Sequence, residues 1–131
     1  VKDLGIETIS TGYILIDGGV QSMVQVMSDT NPIPMDRPDA IIAHALAAQY
    51  LGMQMIYLEA GSGANKSIDN NIIKSVSEVI SIPLIVGGGL RDPEKVSEKV
   101  NSGASIIVTG TITEQNSSIM KEIASAVHWK N

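Results

Sequence analysis

Residues 83–93 read Pro-Leu-Ile-Val-Gly-Gly-Gly-Leu-Arg-Asp-Pro, and this order of residue types decides the fold. Pro83–Val86 is a short, wholly apolar run, as expected of a strand buried on both faces in a parallel sheet. Gly87, Gly88 and Gly89 end it. Asp92 followed by Pro93 then has the signature of a helix N-cap with proline in the first turn. Val96 and Val100 continue along one helical face. The same unit of strand, glycine turn and helix recurs on either side. Gly12–Asp17 (GYILID), Met53–Glu59 (MQMIYLE) and Ser105–Thr109 (SIIVT) read as further strands. Pro38 opens a helix that runs through Ala40–Leu51 and stops at Gly52. Ile72, Ile73, Val76, Val79 and Ile80 recur at helical spacing, and so do Ile119, Met120, Ile123, Ala124 and Val127, with Ser117 or Ser118 as cap. The result is a βαβαβαβα order, which predicts an α/β fold with parallel strands and right-handed crossovers.

A unit of roughly 30 residues suits both doubly wound sheets and (β/α)₈ barrels. A complete barrel takes about 250 residues, and this chain has 131. The expectation is therefore a small open sheet or half of a barrel. The segment from Gly18 to Asp36 is the one long connection, and loops of that length are usually functional. The composition agrees with a single domain: 44% of residues are hydrophobic and 18% charged, and there is no Cys. Without Cys, disulfides, thiolate metal sites and thiol nucleophiles are excluded. The net charge of −5 argues against a nucleic-acid footprint and against a polybasic membrane patch. No apolar run reaches the ~20 residues of a membrane span. A soluble, cytoplasmic domain is expected. The start at Val1 points to a fragment or a processed product.

Three consecutive strands end in glycine or small hydroxyl residues: Ala60-Gly-Ser-Gly-Ala64 after Glu59, Gly87-Gly-Gly-Leu-Arg91 after Val86, and Thr109-Gly-Thr111 after Val108. Ligands of parallel α/β folds bind at the carboxyl ends of strands, and glycine there lets backbone N–H groups approach a ligand closely. In an acidic chain, an anion site has to be built from such amides. The plainer reading is that these glycines only make tight turns. Gly61-Ser-Gly-Ala-Asn-Lys66-Ser67 resembles a P-loop superficially, but Asn65 stands where the motif needs glycine. Strand alternation puts Met53, Met55, Tyr57 and Glu59 on one face and Ile56 and Leu58 on the other. Glu59 is then a carboxylate at the mouth of the sheet, suited to accept a substrate hydroxyl or its proton, with Tyr57 below it as a phenol donor. Its alternative role is a solvated or capping carboxylate. His44 reads as an ordinary helix residue, and His128 and Trp129 as end residues. Met23, Met27 and Met35 either line an apolar groove or are scattered loop residues. Asp36, Arg37 and Asp39 read as a solvated helix start.

The strings Tyr57-Leu-Glu-Ala-Gly-Ser-Gly-Ala64, Ile85-Val-Gly-Gly-Gly-Leu-Arg91 and Gly103-Ala-Ser-Ile-Ile-Val-Thr-Gly-Thr111, with Thr11-Gly-Tyr13 and Pro32-Ile-Pro34 before them, resemble the geranylgeranylglyceryl phosphate synthase family and, more loosely, bacterial prenylglyceryl phosphate synthases. The resemblance implies a TIM (β/α)₈ barrel of which this chain is the C-terminal half, residues 1–131 forming one partial domain. It implies transfer of a geranylgeranyl group from its diphosphate to the hydroxyl of sn-glycerol 1-phosphate, with Mg²⁺ assisting departure of diphosphate. Carried over motif by motif, Tyr57, Leu58, Glu59, Ala60, Gly61, Ser62 and Gly63 would hold glycerol 1-phosphate. Gly88, Gly89, Gly110 and Thr111 would bind its phosphate through their amides, and Glu59 would hold or deprotonate the attacking hydroxyl. The Mg²⁺ ligands would lie in an N-terminal half that has no counterpart here. That half and further copies of the chain are the expected partners, with peripheral membrane contact. Two other readings fit the residues: a non-catalytic phosphate-binding half-barrel, and another phosphate-binding TIM-barrel enzyme.

Overall fold

The structure is a computed structural model that describes residues 2–128. Four strands, β1 (Thr11–Leu15), β2 (Met55–Glu59), β3 (Leu84–Gly87) and β4 (Ile106–Val108), form one parallel sheet in the order β1-β2-β3-β4. The helices are α1 (Met23–Ser28), α2 (Pro38–Tyr50), α3 (Asn70–Val79), α4 (Pro93–Asn101), α5 (Thr111–Gln115) and α6 (Ile119–His128), and a short 3₁₀ turn spans Lys2–Leu4. The expected alternation of strands and helices is present, and every strand lies beside its neighbour in sequence.

The sheet divides the apolar residues between two unlike faces. Ile14, Ile56, Leu58, Leu84 and Val86 point to the helix layer and pack with Ile41, Ala45, Ile72, Ile73 and Val76 in one core. A side chain of this kind stabilises by roughly 1.5–3 kcal/mol when fully buried, so this layer is the main source of cohesion. A smaller cluster of Leu90, Val96 and Ile123 extends it under α6. The opposite face carries Tyr13, Tyr57, Ile85, Ile106 and Val108. On it Tyr13, Ile106 and Val108 keep 45%, 39% and 40% of their surface exposed. The alternation read from Met53–Glu59 is thus correct, with Ile56 and Leu58 fully buried.

Caps act where the sequence places them. The Asp92 side chain accepts from the Lys95 amide at 2.8 Å, and Pro93 occupies the first turn of α4. Gly52, at φ 88°, ends α2: its own amide reaches Gln49 O and that of Met53 reaches Ala48 O. This is the double bond pattern of a Schellman stop. It also explains why β2 starts at Met55 and not at Met53. The Met53 amide closes the helix, and that of Gln54 is bonded to Ser10 O.

Three further expectations are corrected. β1 ends at Leu15 instead of Asp17, because the pairing changes there: Ile16 bridges Ile33, and the Asp17 amide donates to Ile33 O. Pro32 and Pro34 flank Ile33 and have no N–H to donate, so the added pairing stays one residue long. The connection 18–36 is not irregular throughout. It contains α1, whose N-cap Ser22 accepts from Gln25 N at 3.2 Å and whose end is marked by Asp29 at φ 50°. At α6, expected to be capped by Ser117 or Ser118, the Ser118 hydroxyl instead donates to Asn116 Oδ1 at 2.7 Å, and the Ser117 carbonyl accepts from the Met120 amide at 3.3 Å. Between α3 and α4, the buried Lys99 donates to Asn70 Oδ1 at 2.7 Å. Burial lowers its pKa from the usual lysine value. Among the described residues no helix is long and apolar enough to cross a membrane.

Candidate functional site

The ends of β2, β3 and β4 meet at one cleft of about 260 Å³, whose lining includes Tyr57, Glu59, Ser62, Gly63, Gly88, Gly89, Gly110 and Thr111. The structure thus brings together eight of the residues singled out from the sequence. Leu58 and Ala60 are not lining residues. Their side chains are buried in the helix-facing core, as alternation along β2 requires. Gly61 contributes through its backbone: its amide donates to Glu59 Oε1 at 2.8 Å. The remaining lining comes from Tyr13, Val24, Leu90, Arg91, Val108 and Thr109.

Glu59 is the centre of the arrangement. It is 8% exposed, an uncommon degree of burial for a carboxylate. One oxygen is held by the Gly61 amide. The other comes to the end of β3, where a Cβ added at Gly87 would lie 2.6 Å from Glu59 Oε2 and 2.6 Å from the Tyr57 hydroxyl. Carboxylate and phenol therefore converge over a spot that only glycine leaves open. The ring of Tyr13 stacks edge-on against that of Tyr57, with centroids 5.1 Å apart. Burial, and then the nearby Glu59 carboxylate, push the Tyr57 phenol far up from its ordinary pKa. The same two causes raise Tyr13 to about 12. Both phenols stay protonated at neutral pH and can donate.

The glycine turns form the other wall of the cleft. Gly88 has φ 85°, and a Cβ there would lie 2.8 Å from the Ala60 and Gly61 amide nitrogens. Such a conformation and approach suit glycine alone. Among the described residues, the amides of Gly88, Gly89, Gly110 and Thr111 donate to no other residue, which leaves them available at the cleft wall. One cationic side chain, Arg91, lines the same cleft. Arg91 ends the string Ile85–Arg91 but is not among the site residues expected from the sequence. Tyr13 was legible only as part of Thr11-Gly-Tyr13, because its place beside Tyr57 depends on the β1–β2 register.

Other residues fall elsewhere. His44 sits exposed on α2, its Nδ1 2.8 Å from Ala40 O. Arg37 and Asp39 form an exposed pair at the start of the same helix. Lys66 of the P-loop-like string lines a separate depression with Asp17, Asp36 and Asp69. Met23 and Met27 are exposed, and Met35 packs against the core. In their stead Val24 reaches the cleft. His128 closes α6, and Trp129 lies outside the described residues. Among the described residues no group of three or more His, Asp or Glu side chains could hold a metal ion. The cleft's one carboxylate, with Oε1 already engaged, does not fit Mg²⁺.

The family model described as the PcrB family matches residues 1–127. The chain is 48% identical over 128 residues to a geranylgeranylglyceryl phosphate synthase of Chitinophaga pinensis, covering 98% of this chain and 51% of that protein. It is 49% identical over 119 residues to one of Thermococcus sibiricus, covering 91% and 46%. A crystal structure of (S)-3-O-geranylgeranylglyceryl phosphate synthase from Thermoplasma acidophilum with its substrate sn-glycerol-1-phosphate superposes with a TM-score of 0.90 at 35% identity, covering 96% of this chain and 51% of that one. The chain spans about half the length of the relatives it matches, and its four βα units have the architecture of half a (β/α)₈ barrel.

Proposed function

The chain belongs to the PcrB family, and from that membership we propose that it carries the glycerol-phosphate half of a prenyltransferase site, in an enzyme joining a geranylgeranyl chain to sn-glycerol 1-phosphate in the cytoplasm. One observation carries the reading: a buried carboxylate and a protonated phenol converge beside four unspent backbone amides in a single cleft.

In this reading the amides of Gly88, Gly89, Gly110 and Thr111 grip the phosphate, placing the glycerol hydroxyl near Glu59. The Tyr57 hydroxyl orients the glycerol as a donor. Glu59 takes the hydroxyl proton as the glycerol oxygen bonds to C1 of the prenyl chain. The C1–O bond to diphosphate breaks, and its electron pair leaves with diphosphate. Restraining both reactants in one geometry converts a bimolecular encounter into a near-unimolecular step. The Mg²⁺ that would assist departure of diphosphate finds no group of three ligands among the described residues, and every step above is carried by Glu59, Tyr57 and the backbone amides.

In the full-length protein, Glu59→Gln should lower kcat by about 10²-fold or more, the usual contribution of a general base. Glycerol 1-phosphate should still bind, measured by calorimetry. Turnover like that of the wild type would remove Glu59 from the chemistry. Phosphate binding with no turnover in the wild type would favour the non-catalytic half-barrel instead.

A further inference from the structure

We propose that Arg91 is a positioning residue: it staples the loop after β2 to the loop after β3 and so fixes the groups around Glu59. Its Nη2 donates to Ala64 O at 3.2 Å and to Gly63 O at 3.4 Å. Both acceptors belong to the turn 61–64, which is closed by the Ala64 amide bonding to Gly61 O at 3.1 Å. At its other end the same turn holds the carboxylate, through the Gly61 amide on Glu59 Oε1 at 2.8 Å. A continuous path of hydrogen bonds therefore runs from the guanidinium to the proposed base.

Arg91 is well placed to act as an anchor. The next residue, Asp92, is locked as the N-cap of α4. The side chain thus projects from a rigid helix start, while the turn it holds has glycine at positions 61 and 63, with φ 98° and 76°. Glycine loses the most freedom on ordering, so such a turn needs an external restraint to keep one shape. Arg91 supplies it by bonding to carbonyls, and donors on a charged group bond more strongly than neutral ones. Its guanidinium also lines the cleft itself, so the restraint acts at the site's edge.

The inference rests on the proposed function only for its consequence, not for the staple. The test is amide hydrogen exchange of the full-length protein without ligand, followed by titration with sn-glycerol 1-phosphate. Arg91→Met should speed exchange by about tenfold or more at residues 60–64 and leave α2 and α3 unchanged. Arg91→Lys, which keeps a charged donor, should restore part of the protection. Glycerol 1-phosphate should bind Arg91→Met about tenfold more weakly, and its KM should rise while that of the prenyl diphosphate does not. Unchanged exchange at 60–64 in a folded Arg91→Met protein would overturn the staple. Faster exchange together with a wild type that binds no glycerol 1-phosphate would uphold the staple and overturn the functional reading.

Discussion

At the end of β3, Gly87 lies where Glu59 and Tyr57 come together, and its missing side chain is part of the site. A methyl group there would sit 2.6 Å from both Glu59 Oε2 and the Tyr57 hydroxyl, so one or both would have to move. Overpacking of this kind typically costs about 1–3 kcal/mol. Gly87→Ala should therefore weaken glycerol 1-phosphate binding by at least about tenfold while the protein stays folded, as calorimetry and circular dichroism would report. Unaltered affinity would mean that the convergence of the two groups is irrelevant to the ligand. Of these contacts, only the alternation of Tyr57 and Glu59 along β2 can be read from the sequence. The facing of Gly87 to Glu59 follows from the β2–β3 register.

For the secondary-structure elements, helix ends were the most legible feature, because capping chemistry is local. Asp92 shows this: the carboxylate, the proline after it and the amide it accepts from all lie within four residues. Asp92→Ala should cost about 1 kcal/mol and lower Tm by about 3–5 °C, measured by thermal denaturation. The effect should reach the cleft too, since Arg91 precedes the cap directly. α1 and α5 were not legible. They have six and five residues, too short for a helical period to repeat, and isolated helices of such length are not stable by themselves. α1 forms because Ser22 caps it and lies buried beside the turn at Gly61, a long-range contact.

Across the whole molecule, the helices cover one side of the sheet and leave the other open. Tyr13, Ile106 and Val108 remain substantially exposed there, and β4 forms an edge of the sheet. Apolar surface with a free edge favours association. Expressed alone, the 131-residue chain should self-associate and bind a hydrophobic dye. Ile106→Lys should reduce both, as light scattering and dye fluorescence would show. A monodisperse monomer with no dye binding would contradict this account of the open face.

The sequence by itself determined the class of fold, the order of its strands and main helices, both ends of α2 and the start of α4. These depend on apolar periodicity and capping, which act over a few residues. It also marked the glycine-rich strand ends as the candidate site, through Glu59 and the turns at 61–63, 87–89 and 110, and these residues meet around one cleft. Only the tertiary structure decided that Tyr13 stacks on Tyr57, that Ile33 takes over the edge of β1, and that Arg91 ties one turn to the next. Each of these joins residues at least 17 positions apart, Ile16 to Ile33 being the nearest pair. They are set by strand register and by the packing of one loop on another, which leave no periodic trace in the chain.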